Sequence, residues 1–248
     1  MMPKLFELYN ITTTELQKLK NCKILWALPT IFLIPNFLVF LVYASNSKYP
    51  LVVWDDYFLT PVMLINLLVG IGFFALLTGF IFSREYQEHM INNLFTYPNS
   101  RSEFFVGKLT VMLIIIAVTL FSSFVLSILS GLILKHEPLT TIVVFKYFKA
   151  YILMVIMHFA LVPIVAQLSI SKRNIIPPTI LGICAMVLNI IIFNTPLNTI
   201  FPWTIPTVFS PHDGARTFTN YPLGTFTLLV TFVIGIVLSL NSLKKDVH

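Results

Sequence analysis

Uncharged apolar runs recur along the whole chain, and short segments rich in charged residues and proline separate them. A helix that crosses the hydrocarbon core of a bilayer needs about 20 apolar residues. Six windows reach this length, and only Lys149 lies inside one of them, near its end, where a long cationic side chain can reach the interface. The pattern predicts an all-α polytopic membrane protein with six transmembrane helices in a single domain over residues 1–248. The predicted spans are residues 24–44, 60–82, 109–134, 147–169, 175–194 and 223–243.

The composition supplies few charged residues for a solvent-exposed surface. Hydrophobic residues make up 57% of the chain and charged residues 10%, with a mean hydropathy of +0.87. Soluble domains carry about 25% charged residues. The apolar surface is therefore expected to face lipid, which excludes an ordinary soluble protein.

The basic residues predict the orientation, because Lys and Arg are retained on the cytoplasmic side of a membrane. With both termini cytoplasmic, eleven of the 16 basic residues fall on the inner side of six spans. This bias, with attraction to anionic lipid head groups, accounts for the net charge of +6 without a nucleic-acid partner. The inner residues are Lys4, Lys18, Lys20, Lys23, Arg84, Arg101, Lys108, Lys172, Arg173, Lys244 and Lys245. The outer residues are Lys48, Lys135, Lys146, Lys149 and Arg216.

Residues 1–23 precede the first predicted span and follow a different pattern. Apolar and small side chains recur at helical spacing, whereas the charged residues lie elsewhere on the helical wheel. This spacing predicts an N-terminal interfacial amphipathic helix. A solvated tail with accidental periodicity is the alternative. The predicted apolar face comprises Leu5, Leu8, Thr12, Leu16 and Leu19.

Residues 83–108 form the cytoplasmic loop between the second and third predicted spans. Glu85 and Glu88 favour the positive end of a short helix, and Pro98 ends it. Ser100 and Glu103 match a capping box that starts a second helix running through Lys108 into the third span. The loop is therefore predicted to be ordered and to present an apolar stripe, which either docks on a partner or packs on the membrane. The stripe comprises Met90, Ile91, Leu94 and Phe95.

The loop from Phe82 to Lys108, together with six predicted spans, resembles the permease subunits of ABC-2 type transporters. The resemblance implies that this loop is a coupling helix, which sits in a cleft of a separate ATPase subunit. Glu85 then stands at the head of that helix and Pro98 closes it, while Arg101 follows the turn and Lys108 begins the next span. Family members often have Gly-Thr after the acidic residues, whereas this chain has His89-Met90, so the contact geometry is expected to differ.

The resemblance also implies partners and a task. These are an ABC ATPase subunit, which would hold the ATP and Mg, and a second permease copy or a related permease. The bilayer would be the plasma membrane of a bacterial cell. Short permeases of this kind resemble the lantibiotic-immunity, bacitracin-resistance and phenol-soluble-modulin export subunits. The chain is therefore expected to export or clear an amphipathic or membrane-active compound such as a peptide.

Catalytic motifs are missing from the sequence. Gly107-Lys108 is followed by Leu109, not by the Ser or Thr of a phosphate loop. The predicted spans contain no carboxylate and a single histidine, His158, so no metal site is expected. The chain is thus predicted to be no enzyme and to hold no cofactor of its own. A secondary transporter or passive channel without an ATPase is the alternative, although the missing carboxylates argue against ion coupling.

Small residues mark the second and fifth predicted spans. Small residues let helices approach closely, and Asn side chains at membrane depth need a partner or water. These two faces are predicted to line a transport path or a dimer face, with ordinary packing inside one chain as the alternative. The residues are Asn66, Gly72, Ala75 and Gly79 in the second span and Gly182, Ala185 and Asn189 in the fifth.

Residues 195–222 are too rich in proline for a spanning helix and too apolar for a free tail. Pro196, Pro202, Pro206 and Pro211 interrupt the segment. It is predicted to form short extracellular or re-entrant helices before the last span.

Overall fold

The computed structural model describes residues 2–20, 22–45, 51–87, 101–211 and 219–245. Those residues are almost entirely helical, and the only strand pairing among them is an isolated bridge between Val52 and His136. The helices are α1 (Met2–Lys20), α2 (Lys23–Ser45), α3 (Trp54–Leu64), α4 (Gly70–Gln87), α5 (Arg101–Ile133), α6 (Thr141–Lys172), α7 (Ile176–Ile192), α8 (Ile205–Phe209) and α9 (Tyr221–Lys245). A π-helical turn, Ile65–Val69, joins α3 to α4 into one continuous rod.

A helix lies at each of the six predicted spans. Four are long and apolar enough to cross a membrane by length and composition: Trp54–Gln87, Arg101–Ile133, Thr141–Lys172 and Tyr221–Lys244. The described apolar parts of the other two, Thr30–Ser45 and Ile176–Ile192, are shorter. An all-helical fold with candidate membrane-spanning helices is therefore confirmed for the described residues, whereas the number of six spans stays a prediction.

α6 is the central helix of the bundle and packs against α4, α5, α7 and α9. Its N-terminal half joins a cluster of rings, in which Phe58 stacks on Tyr147 with ring centroids 4.8 Å apart. Near its middle, Gly235 of α9 approaches so closely that an added Cβ would stand 2.5 Å from the main-chain nitrogen of Ile164. Ser239 Oγ donates a hydrogen bond of 3.1 Å to the carbonyl of Pro163 at the same level. These contacts fix α9 against α6.

The leader is helical, and one face of it packs on α5. Thr12 and Leu19 of the predicted face are buried, and Ile11 is buried beside them. Gly107 makes this contact possible, because a Cβ there would stand 2.5 Å from Ile11 Cγ2. The leader is therefore attached to the start of the third predicted span by side-chain packing.

The proline-rich segment folds into short helices at the end of the bundle away from α1. They are the 3₁₀ turns Pro196–Thr199 and Pro202–Thr204, followed by α8. Thr204, Ile205 and Val208 are fully buried. The segment therefore caps this end of the bundle as an ordered element, and its extracellular location stays a prediction.

Single cysteines introduced into a cysteine-free variant should report the orientation. Lys135→Cys and Leu197→Cys replace exposed residues at one end of the bundle and should react with an impermeant thiol reagent added outside intact cells. Lys172→Cys and Lys244→Cys replace exposed residues at the other end and should react only after the cells are permeabilised. External labelling of either second site would contradict the predicted orientation.

Candidate transport path and coupling surface

The small-residue faces of α4 and α7 meet each other inside one chain. A Cβ added at Gly182 would stand 2.5 Å from the Ala75 Cβ and 3.4 Å from the Gly72 carbonyl oxygen. One helical turn away in the same interface, a Cβ at Gly79 would stand 2.8 Å from Pro178 Cγ. The two backbones therefore lie in direct contact, as small residues permit. This contact lies inside one chain, and the predicted role of the two faces in a transport path or a dimer face stays a prediction.

The π-helical turn carries Asn66, whose side chain is completely buried. Asn189 Nδ2 of α7 donates hydrogen bonds of 3.2 Å to the main-chain carbonyls of Asn66 and Leu67, and Thr207 Oγ1 donates one of 3.0 Å to the Asn66 carbonyl. Such turns shift the regular helical hydrogen-bond pattern and are frequent at functional sites. Both predicted asparagines thus belong to one network that joins the π-helical turn, α7 and α8.

The same network fixes the proton on His158. Ser210 Oγ donates its proton to the Pro206 carbonyl at 2.6 Å, so it can only accept from Asn66 Nδ2. The Asn66 amide oxygen must then face His158, where the two atoms lie 3.0 Å apart. His158 Nε2 is therefore the protonated ring nitrogen, and the residue acts as a buried hydrogen-bond donor.

A cavity of about 10 Å³ lies beside His158, with Gly70, Ala75 and Thr78 in its wall. A volume of roughly 10–15 Å³ holds one water molecule. Gly70 lets the His158 ring pack directly on the backbone of α4, because a Cβ there would stand 2.8 Å from His158 Cε1. This water-sized gap lies between α4 and α6, and Ala75 in its wall also contacts α7 at Gly182.

Four charged side chains form a cluster at the α1 end of the bundle. Glu85 binds Lys108 at 2.9 Å and Lys18 at 3.0 Å, and Glu15 binds Lys18 at 2.5 Å. Lys108 also lies 3.8 Å from Glu15 and donates a hydrogen bond of 2.9 Å to the Ile81 carbonyl. Glu15 and Lys108 are each only 5% exposed. The cluster is therefore a buried, charge-balanced joint between α1, α4 and α5.

Lys18 lies at the more exposed edge of this joint, outside the predicted spans. Partial burial acts to lower its pKa, but the hydrogen bond and negative charge of Glu15, together with Glu85, outweigh burial and raise the pKa of Lys18. Lys18 therefore remains positively charged at neutral pH. Together with Lys108 it balances the negative charge of the two carboxylates.

The charged joint includes residues from both helix ends that flank the predicted coupling loop, and we call these two ends its stems. Glu85 stands near the end of α4 and Lys108 in the second turn of α5, on either side of residues 88–100. Arg101, the first residue of α5, donates a hydrogen bond of 2.7 Å to the carbonyl of Leu243. The structure thus places Glu85, Arg101 and Lys108 in contacts inside the chain. The remaining predicted coupling residues, Glu88, Met90, Ile91, Leu94, Phe95 and Pro98, lie outside the described residues.

Sequence reasoning missed Glu15 and Lys18 as members of this joint. Glu15 lies three residues after Thr12 and four before Leu19, so helical spacing places it on the buried face of α1. A carboxylate on an apolar face indicates a cationic partner, because an unpaired buried charge is costly. The sequence therefore indicated a cationic partner for Glu15, although it does not identify that partner.

The helical bundle, with its candidate membrane-spanning helices and close-packed small faces, is the architecture of a polytopic membrane protein. Residues 11–191 match the family described as ABC-2 family transporter protein, and the chain belongs to this family. It is 30% identical over 210 residues to the bacitracin transport permease protein BCRB of Bacillus licheniformis. This similarity covers 83% of the chain and 100% of the relative. The region matched by the family, residues 11–191, contains the charged joint, Asn66 and Asn189. It ends before the segment with Thr207 and Ser210.

Proposed function

We propose that this permease subunit crosses the bacterial plasma membrane six times with cytoplasmic termini, and that it exports or clears an amphipathic, membrane-active compound such as a peptide. A second copy or a related permease, and two ATPase subunits, would complete the transporter. The family assignment and the name of the bacitracin permease relative support the proposal. So does the sequence, in which no phosphate loop is present to supply energy.

The buried charged joint is the observation that carries the coupling part of the proposal. A loop can transmit force only if its stems are fixed to the helices that must move. Glu85 and Lys108 bind each other across the two stems, and both are tied to α1 by the joint. A displacement of the loop by a closing ATPase dimer would therefore move α1, α4 and α5 together.

Movement of α4 would act next on its contact with α7. The two helices touch through Gly182 and Ala75 with no larger side chain between them. Separation of this pair would open a path between the small-residue faces of α4 and α7. Glu85 would contribute through the position of the loop, because its carboxylate is already bound to two lysines.

Replacing Leu94 and Phe95 together by Asp should detach the ATPase subunit. If these side chains dock in an apolar cleft, two carboxylates would have to be buried there without partners, at a cost of several kcal/mol. Pull-down of the tagged permease in mild detergent, followed by an ATPase assay of the eluate, measures the effect. Asn99→Asp adds charge to the same loop outside the predicted stripe and should leave the complex intact.

Two results would contradict this proposal. One is an unchanged amount of ATPase bound to the double variant, which would place the contact elsewhere. The other is the repeated purification of the wild-type chain from its native host without any nucleotide-hydrolysing subunit, which would favour a passive channel or a secondary transporter.

A further inference from the structure

A groove lies at the end of the bundle opposite the charged joint, between α6, α8 and the start of α9. It is a shallow, open groove with a volume of about 400 Å³. Lys146 and Lys149 lie one helical turn apart on its polar side, while Leu153, Phe209 and Tyr221 contribute apolar surface. Its chemistry is therefore cationic at one end and apolar at the other.

The two lysines differ in how their charge is compensated. Lys146 Nζ binds Asp55 Oδ1 at 2.6 Å, and both side chains are about half exposed. Lys149 Nζ lies 4.3 Å from the centre of the Phe145 ring, and within the part of the chain that the structure describes it makes no ion pair. Among the described residues, Lys149 thus has no carboxylate partner, and Lys146 has one that it can exchange for another anion.

The surroundings of the groove match the boundary between lipid head groups and acyl chains. Tyr221 packs on Phe209 with ring centroids 5.0 Å apart, and aromatic rings of this kind concentrate at membrane interfaces. α9 begins at Tyr221, so the positive end of its dipole adds to the field of the lysines. Leu153 lies a further turn along α6, toward the middle of the predicted fourth span.

We propose that this groove binds an anionic phospholipid of the surrounding leaflet. The phosphate would lie between the ammonium groups of Lys146 and Lys149, and an acyl chain would follow the apolar wall past Leu153. Charge complementarity selects this occupant over a zwitterionic lipid, and the apolar wall selects it over a free anion. Asp55 then acts as a competitor of the phosphate for Lys146.

The test uses the full-length permease, purified in mild detergent with any partner subunit that it retains. Thermal stabilisation is measured while phosphatidylglycerol, phosphatidylcholine or inorganic phosphate is titrated at constant ionic strength. Phosphatidylglycerol should stabilise the wild-type protein, and its midpoint concentration should rise about fivefold in either Lys146→Gln or Lys149→Gln and about 25-fold in the double variant. Lys135→Gln, which removes an exposed lysine at the same end of the bundle, should leave the midpoint unchanged.

Asp55→Asn provides a change of opposite sign. Removing this carboxylate frees Lys146, so the phosphatidylglycerol midpoint should fall below the wild-type value, which a merely damaged protein would not show. The proposal is overturned if the double lysine variant keeps the wild-type midpoint, or if phosphatidylcholine stabilises equally well. It is also overturned if inorganic phosphate alone reproduces the effect, since the site would then be one for a free anion.

Discussion

Gly182→Leu is expected to disrupt the bundle and abolish transport. The first added carbon would already stand 2.5 Å from the Ala75 Cβ, and three further carbons would have to enter between α4 and α7. Overpacking of a tight interior typically costs about 1–3 kcal/mol and sometimes more. Here the obstacle is a neighbouring helix, which can give way only by moving as a whole. Unfolding of the purified permease in a denaturing detergent, together with a transport or resistance assay, measures the loss.

The same interface offers matched controls for this prediction. Gly72→Ala adds a methyl group that meets only Met186 Sδ, at 3.8 Å, and should be tolerated. Gly182→Ala alone should destabilise the protein, whereas Gly182→Ala combined with Ala75→Gly returns a single methyl group to the contact and should recover most of the loss. Equal behaviour of Gly72→Ala and Gly182→Ala would show that the two backbones do not lie this close.

Lys108→Met is expected to be the most damaging change at the charged joint. Methionine keeps the length and apolar stem of lysine but leaves Glu15 and Glu85 to share Lys18, so the buried cluster gains a net negative charge. Breaking a buried ion pair by removing one partner costs about 3–5 kcal/mol. The loss should appear as a lower stability of the permease and as weaker coupling between ATP hydrolysis and transport.

A second substitution separates charge from packing at this joint. Lys108→Met combined with Glu85→Gln restores neutrality, because Glu15 and Lys18 remain as a pair, and should recover a large part of the stability. Lys172→Met removes an exposed lysine at the end of α6 and should have little effect. If Lys108→Met were as mild as Lys172→Met, Lys108 would not be buried with its carboxylate partners.

The sequence was sufficient for those features that depend on local pattern. Windows free of charge coincide with helices because a helix satisfies its own backbone hydrogen bonds, whatever surrounds it. Helical spacing likewise predicted α1, and small residues predicted the close faces of α4 and α7 at Gly182 and Ala75.

Features that depend on distant pairing could not be obtained in this way. Asn66 plainly needed a partner, but Ser210 lies 144 residues away, and no local pattern connects them. Glu15 and Lys108 are brought together only by the packing of α1 on α5. The predicted apolar stripe of the coupling loop lies outside the described residues, so its docking role remains a prediction.

The wide sequence separation of the Asn66 network bears on how the protein is made. α3 and its π-helical turn leave the ribosome and enter the bilayer long before α8 exists, and Asn66 then lacks the hydroxyls of Thr207 and Ser210. Until those residues are synthesised, a polar amide is held in a nonpolar environment, which is unfavourable. The Asn66 amide therefore reaches its final hydrogen bonds only after the residues up to Ser210 have been synthesised. Chains that stop before Thr207 should be recognised by membrane proteases as incomplete.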